Sequence, residues 1–151
     1  MADTKIQELI REFVGKLGIT IDSIELTAVA AHEMYTVRTS DSKRLIGPQG
    51  DHLRALNFLL RRYAERIPEL SDSKFLVDVN GYLMVHIKDL ENKARILAER
   101  VRTFRSSAEM TPMNAYDRMI IHAMFSNDPE VATESQGTGP VRHIILSYKQ
   151  K

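Results

Sequence analysis

Residues 42–63 have the sequence SKRLIGPQGDHLRALNFLLRRY, in which Gly47 and Gly50 lie between a short apolar turn and an amphipathic helix. A glycine has no Cβ, so its backbone can run close to another molecule. The first amides of the following helix are unpaired, and the helix dipole makes that end positive. A Gly-x-x-Gly turn before a helix therefore predicts contact with nucleic-acid phosphates. Two glycines at this spacing can equally close a tight turn, and the spacing leaves both interpretations open.

The segments around this loop predict a mixed α/β module. Residues 5–17 have helical spacing, residues 19–29 and 34–39 have strand composition with polar residues between them near 31–33, and residues 75–79 alternate like a half-buried strand. The predicted apolar helix faces consist of Ile6, Leu9, Ile10, Phe13, Val14 and Leu17 before the loop and of Leu53, Leu56, Leu60, Tyr63 and Ile67 after it. The predicted order is helix, strand, strand, short helix, loop, helix, strand.

This order, with the loop between two helices, resembles the bacterial, type II form of the KH domain over about residues 3–80. The resemblance implies a single-stranded nucleic-acid-binding module. The residues that it places at the nucleic acid are Lys43 and Arg44 beside the loop, Gly47, Pro48, Gln49 and Gly50 in the loop, and Ile46 and Leu53 as the floor of a groove for bases. Members of this family commonly carry a basic residue between the two glycines. The neutral pair present here implies weaker phosphate binding, which the neighbouring cations offset in part.

The second half of the chain begins with an ambiguous segment. Asn80-Gly81 between apolar residues is typical of a hairpin turn. A helix from about Tyr82 to about Ser106 is the favoured interpretation, because a new strand would have no obvious partner. Its predicted apolar stripe consists of Leu83, Leu90, Ala94, Leu97, Val101 and Phe104.

A further helix is predicted from Pro112, with Thr111 as its N-terminal cap. At 100° per residue, Arg118 and His122 fall one turn apart on the side opposite the apolar residues, which predicts that they point to water. A guanidinium and an imidazole on one face are two donors for a phosphate. The alternative is an incidental exposed pair.

The segment from Pro112 to His122, with the trailing residues 128–146, resembles the Arg-x-x-x-His domain, a single-stranded nucleic-acid-binding module. The resemblance implies strands at 131–135 and 141–147, joined by residues 136–140, and a phosphate contact by Arg118 and His122 helped by Arg142. The resulting prediction is an α/β (α+β) chain of two tandem modules, at residues 1–80 and 81–151. Two weak sites on one chain would raise avidity if one strand reached both.

The tandem arrangement resembles the bacterial Jag (KhpB) family, associated with the SpoIIIJ/YidC insertase. The resemblance implies a cytoplasmic RNA-binding protein, with single-stranded DNA as a second ligand, that acts as a post-transcriptional regulator or RNA chaperone in cell elongation and division. It also implies a partner, the small KH protein KhpA, or a homodimer. Family members usually have a further N-terminal domain, whose absence is expected here, and a Tyr-Arg-x-x-Arg pattern where this chain has Tyr82-Leu-Met-Val-His86.

Composition limits the other function classes. The net charge of +1 is low for a nucleic-acid-binding protein, although cations are enriched over residues 43–66 and 93–105. The chain has no cysteine and no long apolar run, so disulfides, thiol catalysis and stable membrane insertion are not expected. Its five histidines have no metal-ligand spacing, and no catalytic residue, metal or cofactor is expected.

Two alternatives remain at this stage. A protein-interaction adaptor would use the KH fold for dimerisation and the basic helices for an acidic partner. The stripe of Arg54, Phe58 and Arg61 could form a base-stacking platform, but the packed edge of a helix is the favoured interpretation.

Overall fold

A computed structural model describes residues 2–29 and 32–150, and the chain divides into two units, one ending at Met84 and one beginning at Val85. Both units combine helices with a small three-stranded sheet, so the predicted mixed α/β class is confirmed. In the first unit the helices and strands are α1 (Ala2–Lys16), β1 (Ser23–Val29), β2 (His32–Arg38), α2 (Ser42–Ile46), a 3-10 turn (Pro48–Gly50), α3 (Asp51–Ala64) and β3 (Phe75–Val79).

The sheet of the first unit has the order β1-β2-β3. Strands β1 and β2 are antiparallel, with Ser23 opposite Arg38, whereas β2 and β3 are parallel, with Glu33 opposite Phe75. The apolar faces of α1 and α3 pack on one face of this sheet because both helices carry apolar residues at helical spacing. The buried core consists of Ile6, Leu9, Ile10, Val14, Ile19, Tyr35, Val37, Leu45, Leu53, Leu56, Leu60, Ala64, Leu70, Phe75, Val77 and Val79.

Several expectations for the first unit are corrected. Leu17 follows the end of α1 and is exposed, so it is not part of the apolar face. Strand β3 is buried along its whole length rather than on one face. His32 and Glu33 belong to β2 instead of the predicted polar joint, whose Ala31 lies outside the described residues.

Helix α4 (Tyr82–Phe104) confirms the helical interpretation of the segment after Asn80-Gly81. The buried carboxylate of Asp78 accepts a hydrogen bond from the Leu83 amide at 2.7 Å, which satisfies one of the unpaired donors of the first helical turn. Asn80 and Gly81 both have positive φ, a conformation that suits these two residue types. The helix ends before Ser106, and Phe104 is exposed rather than part of the apolar stripe.

The second unit continues with β4 (Ser107–Glu109), α5 (Ala115–Phe125), β5 (Val131–Gln136), a 3-10 turn (Gly139–Val141) and β6 (His143–Tyr148). Its sheet is antiparallel in the order β4-β6-β5. The predicted hairpin of two strands after the last helix is therefore confirmed. Val141 lies in the turn instead of the second strand, and the short strand β4 was not predicted.

Helix α5 begins three residues later than predicted. Asn114 is its N-cap, and its side chain accepts a hydrogen bond from the Asp117 amide at 2.8 Å. The Met113 amide donates to the Arg142 carbonyl at 3.1 Å, so the chain before Asn114 is held against the end of the hairpin turn and cannot continue the helix. Across residues 2–29 and 32–150, no helix is both long and apolar enough to cross a membrane.

Candidate nucleic-acid interface

The Gly-x-x-Gly loop is a turn of unusual backbone conformation. Gly47, Gln49 and Gly50 have φ values of 70°, 53° and 78°, all in the left-handed region that glycine tolerates best. Pro48 and Gln49 are exposed at its tip, Gly47 is half-buried and Gly50 is buried. The loop thus presents two neutral side chains to solvent, directly before the first residue of α3.

The space beside each glycine is occupied by a ring of the chain itself. A Cβ added to Gly47 would lie 2.3 Å from Cγ of His52, whose Nδ1 also lies 2.8 Å from the Arg44 carbonyl oxygen. A Cβ added to Gly50 would lie 3.0 Å from Cε1 of Tyr82. Both glycines therefore have an internal packing role in addition to the predicted contact with a ligand. Contact of the loop with phosphate stays a prediction.

The cations beside the loop differ in their surroundings. Lys43 is exposed and has no ion pair within residues 2–29 and 32–150. Arg44 donates to Asp41 at 3.0 Å and to the Leu17 carbonyl at 3.2 Å, and Arg54 donates to Asp51 and to the Gln49 carbonyl. Exposed ion pairs of this kind are weak, so an arriving phosphate can compete for these guanidinium groups.

The predicted groove floor is only partly available. Leu53 is 1% exposed and belongs to the core of the first unit, so the expectation that it contacts bases is wrong. Ile46 is half-buried and packs against the same core. The apolar spacing that predicted a helix face for Leu53 also turns its side chain into the core, where a ligand cannot reach it.

The outer face of α3 is more open than predicted. Phe58 is 61% exposed, and the Arg62 guanidinium lies 6.0 Å from the centroid of its ring. Arg54 and Arg61 are exposed as well. Phe58 therefore does not form the packed edge of a helix, and this interpretation is corrected.

Arg118 and His122 do not point to water as predicted. Both are half-buried, and His122 lies against β5 with its Nδ1 2.6 Å from Oγ1 of Thr133 and its Nε2 2.9 Å from Oγ of Ser135. Arg118 donates from Nη1 to the Met113 carbonyl at 2.8 Å. The side of α5 opposite the apolar residues thus packs on a polar part of the sheet.

Arg142 completes a group that we call the cationic cluster: Arg118, His122 and Arg142. Arg142 donates from Nη1 to the Gly137 carbonyl at 2.7 Å. In the part of the chain that the structure describes, neither guanidinium has a carboxylate within 4.0 Å. Burial, Arg118 and Arg142 together lower the pKa of His122 below its ordinary value. The cluster thus carries two guanidinium charges that no carboxylate among the described residues neutralises, and it can donate hydrogen bonds to an anion.

The chain segment that carries this cluster matches a known domain family. Residues 88–148 match the domain family that takes its name from an arginine and a histidine separated by three residues. The predicted Arg-x-x-x-His domain is therefore confirmed, and all three residues of the cationic cluster lie within the matched segment.

Several proteins that are similar to this chain over most of its length share one name. The chain is 29% identical over 151 residues to the RNA-binding protein KhpB of Clostridium symbiosum, in an alignment that covers 97% of this chain and 66% of that protein. It is 27% identical over 147 residues to KhpB of Bacillus subtilis, with 96% and 68% covered, and 26% identical over 152 residues to KhpB of Streptococcus pneumoniae, with 93% and 44% covered. The chain thus spans about two thirds of the first two relatives and less than half of the third.

A buried carboxylate joins two helices of the second unit next to the cationic cluster. Asp117, in the first turn of α5, accepts a hydrogen bond from His86 Nε2 on α4 at 2.8 Å. The sequence did not predict this pair, because a contact between two helices has no characteristic local spacing. The pair fixes the start of α5 and so positions Arg118, the next residue.

Acid is expected to destabilise the Arg-x-x-x-His domain through His122. The unfolded chain takes up a proton on this residue below about pH 6.5, whereas the folded domain resists it because the pKa of His122 is lowered. This contribution to stability is complete above that pH and is lost as the pH falls towards the folded-state pKa. Urea unfolding from pH 7.5 to 5.0 should show a smaller acid-dependent loss in His122→Asn than in the natural chain. Equal losses in both proteins would contradict this assignment.

Proposed function

We propose that this chain binds single-stranded RNA, through the loop at residues 47–50 and through the cationic cluster of the Arg-x-x-x-His domain. The observation that carries the proposal is the pair Arg118 and Arg142, whose guanidinium groups lie beside His122 without a carboxylate partner in the described residues. Two uncompensated charges next to a half-buried imidazole favour a ligand that brings its own negative charge, as a phosphate backbone does. The name RNA-binding protein that the relatives carry supports RNA as that ligand.

For the first unit we propose a type II KH domain. In its support, the observed order of helices and strands is the one that the resemblance implies, and the Gly-x-x-Gly loop lies between α2 and α3. The exposed tip of the loop and the neighbouring Lys43 are suited to a phosphate contact. Affinity at this site should be modest, since Pro48 and Gln49 carry no charge and Pro48 has no amide to donate.

The proposed biological role follows from the resemblance to the Jag (KhpB) family. We propose a cytoplasmic, non-enzymatic regulator that acts after transcription and affects cell elongation and division. Its proposed partners are a small KH protein of the KhpA type or a second copy of the chain. Single-stranded DNA would bind by the same phosphate contacts, because the described cations do not depend on the 2′-hydroxyl.

Fluorescence polarisation with short single strands at about 50 and 200 mM salt tests the proposed function. The expected result is binding to RNA whose affinity falls steeply with salt. The rival adaptor function predicts no binding even at the lower salt concentration. A duplex of the same sequence is the control, and equal affinity for duplex and single strand would contradict the proposal.

The affinity for RNA should depend on the charge of the side chain at position 49 in the loop. Gln49→Lys is expected to strengthen RNA binding about threefold and to steepen its salt dependence by about one unit of slope, and Gln49→Asp should weaken binding by a similar factor. Aspartate tolerates the left-handed backbone at this position, so the effect is one of charge rather than of folding. The matched controls are Ser71→Lys and Ser71→Asp at an exposed position of the same unit. Equal responses at positions 49 and 71 would argue against a phosphate at the loop.

A further inference from the structure

An aromatic ring lies directly beside the Gly-x-x-Gly loop. Tyr82 is the first residue of α4, and its Cε1 and hydroxyl oxygen lie 3.0 Å and 3.2 Å from the position that a Cβ on Gly50 would occupy. The residue nevertheless remains 39% exposed. One part of the ring therefore packs on the loop backbone while another part is open to solvent.

The backbone that carries this ring is fixed by hydrogen bonds within the first unit. Asp78 accepts from the Leu83 amide at 2.7 Å, which holds the first turn of α4. Asn80 donates to the Thr39 carbonyl at 2.8 Å and accepts from the Thr39 amide at 3.0 Å. These contacts bracket Tyr82 in the chain and fix the backbone that carries its ring beside the loop.

A half-exposed ring next to a phosphate-binding turn is suited to one kind of contact. Nucleobases stack on aromatic side chains whatever their identity, because every base has a π face. The base of a nucleotide lies close to its own phosphate, so a strand held at residues 47–50 would bring a base near Tyr82. We propose that Tyr82 stacks on a nucleobase of the strand whose phosphate lies at this loop. This inference rests on the proposed function of the first unit.

Phe58 is the competing aromatic residue and provides the matched control. It is more exposed than Tyr82, but the Arg62 guanidinium already lies over its ring. Phe58 is the eighth residue of α3, about two helical turns beyond the loop. Stacking on Phe58 would place the base on a different surface of the first unit.

The first test compares affinities for a single-stranded RNA and for an abasic strand of the same length. Tyr82→Phe should bind both strands within about twofold of the natural chain, since it keeps the ring. Tyr82→Leu should bind the RNA about tenfold more weakly than the natural chain does. It should bind the abasic strand as tightly as the natural chain does, because only stacking is lost. If Tyr82→Leu weakened both strands equally, Tyr82 would merely support the loop and the inference would be overturned.

The second test uses fluorescence. The chain contains no tryptophan, so Tyr82→Trp and Phe58→Trp each introduce a single indole reporter. Stacking predicts that added RNA quenches the emission of the first variant and leaves that of the second nearly unchanged. Quenching at position 58 alone would overturn the inference. A natural chain that binds no RNA at low salt would contradict the proposed function itself, whereas salt-sensitive binding without any effect at position 82 would contradict only the stacking contact.

Discussion

Replacement of both guanidinium groups of the cationic cluster, in an Arg118→Ala/Arg142→Ala variant, is expected to weaken RNA binding about a hundredfold at low salt. A charge-assisted hydrogen bond contributes about 1.5 kcal/mol or more, and each lost phosphate contact lowers the salt slope by about one unit. The variant should therefore show a slope smaller by about two units. No carboxylate in the described residues pairs with either guanidinium group, so the substitutions break no internal ion pair.

Polarisation titrations over a salt series measure both quantities. The matched control is Arg95→Ala/Arg100→Ala, which removes the same charge from exposed positions of α4. Both arginines of the cluster also donate to main-chain carbonyls, so Arg118→Lys/Arg142→Lys is needed to separate charge from local structure. The lysine variant should keep the slope even where its affinity falls. An unchanged slope in the alanine variant would refute the assignment of the cluster as a phosphate site.

Asn57→Leu is expected to destabilise the first unit by about 3 kcal/mol, as two buried main-chain groups would lose their partners. The Asn57 carboxamide accepts from the Val77 amide at 2.7 Å and donates to the Val77 carbonyl at 2.9 Å. Val77 is fully buried on β3, the edge strand of the sheet, so no neighbouring strand can replace these bonds. Leucine has a similar volume, which leaves the hydrogen bonds as the main loss.

Urea unfolding followed by circular dichroism, with hydrogen exchange of the β3 amides, measures this effect in the first unit. Asn92→Leu on the exposed face of α4 is the control and should change stability by less than about 0.5 kcal/mol. Asn57→Asp should be at least as damaging as Asn57→Leu, because a carboxylate cannot donate to the Val77 carbonyl. A natural-like unfolding midpoint in both Asn57 variants would show that water or a shift of α3 replaces the lost bonds.

The parts of the fold that follow from local spacing could be predicted from the sequence. Amphipathic periodicity gave α1 and α3 their buried faces, and the lack of a partner strand correctly favoured α4 over a hairpin. The Arg-x-x-x-His domain was also predictable, because its characteristic spacing occurs together with a helix and a trailing hairpin. These features depend on residues close together in the chain.

Contacts between distant segments were not predictable in the same way. The helical projection assigned Arg118 and His122 to water because they lie opposite the apolar residues, whereas Thr133 and Ser135 of β5 offer that side a polar surface. A helical projection cannot distinguish a polar neighbour from solvent. The sequence assigned Leu53 both to the buried face of a helix and to the floor of a groove for bases. Its burial in the core of the first unit decides for the former. The rings packed on Gly47 and Gly50 could not be predicted, because the Gly-x-x-Gly spacing does not show which side chains fill the space beside each glycine.

The positive charges of Arg118 and Arg142, which lie close enough to lower the pKa of His122, have a practical consequence for handling the protein. Any polyanion that occupies the cationic cluster neutralises these charges and binds the folded chain in preference to the unfolded one. Nucleic acid carried through purification would then raise the melting temperature, and a high-salt wash that strips it would lower it. Absorbance at 260 nm therefore belongs beside every thermal measurement on this chain.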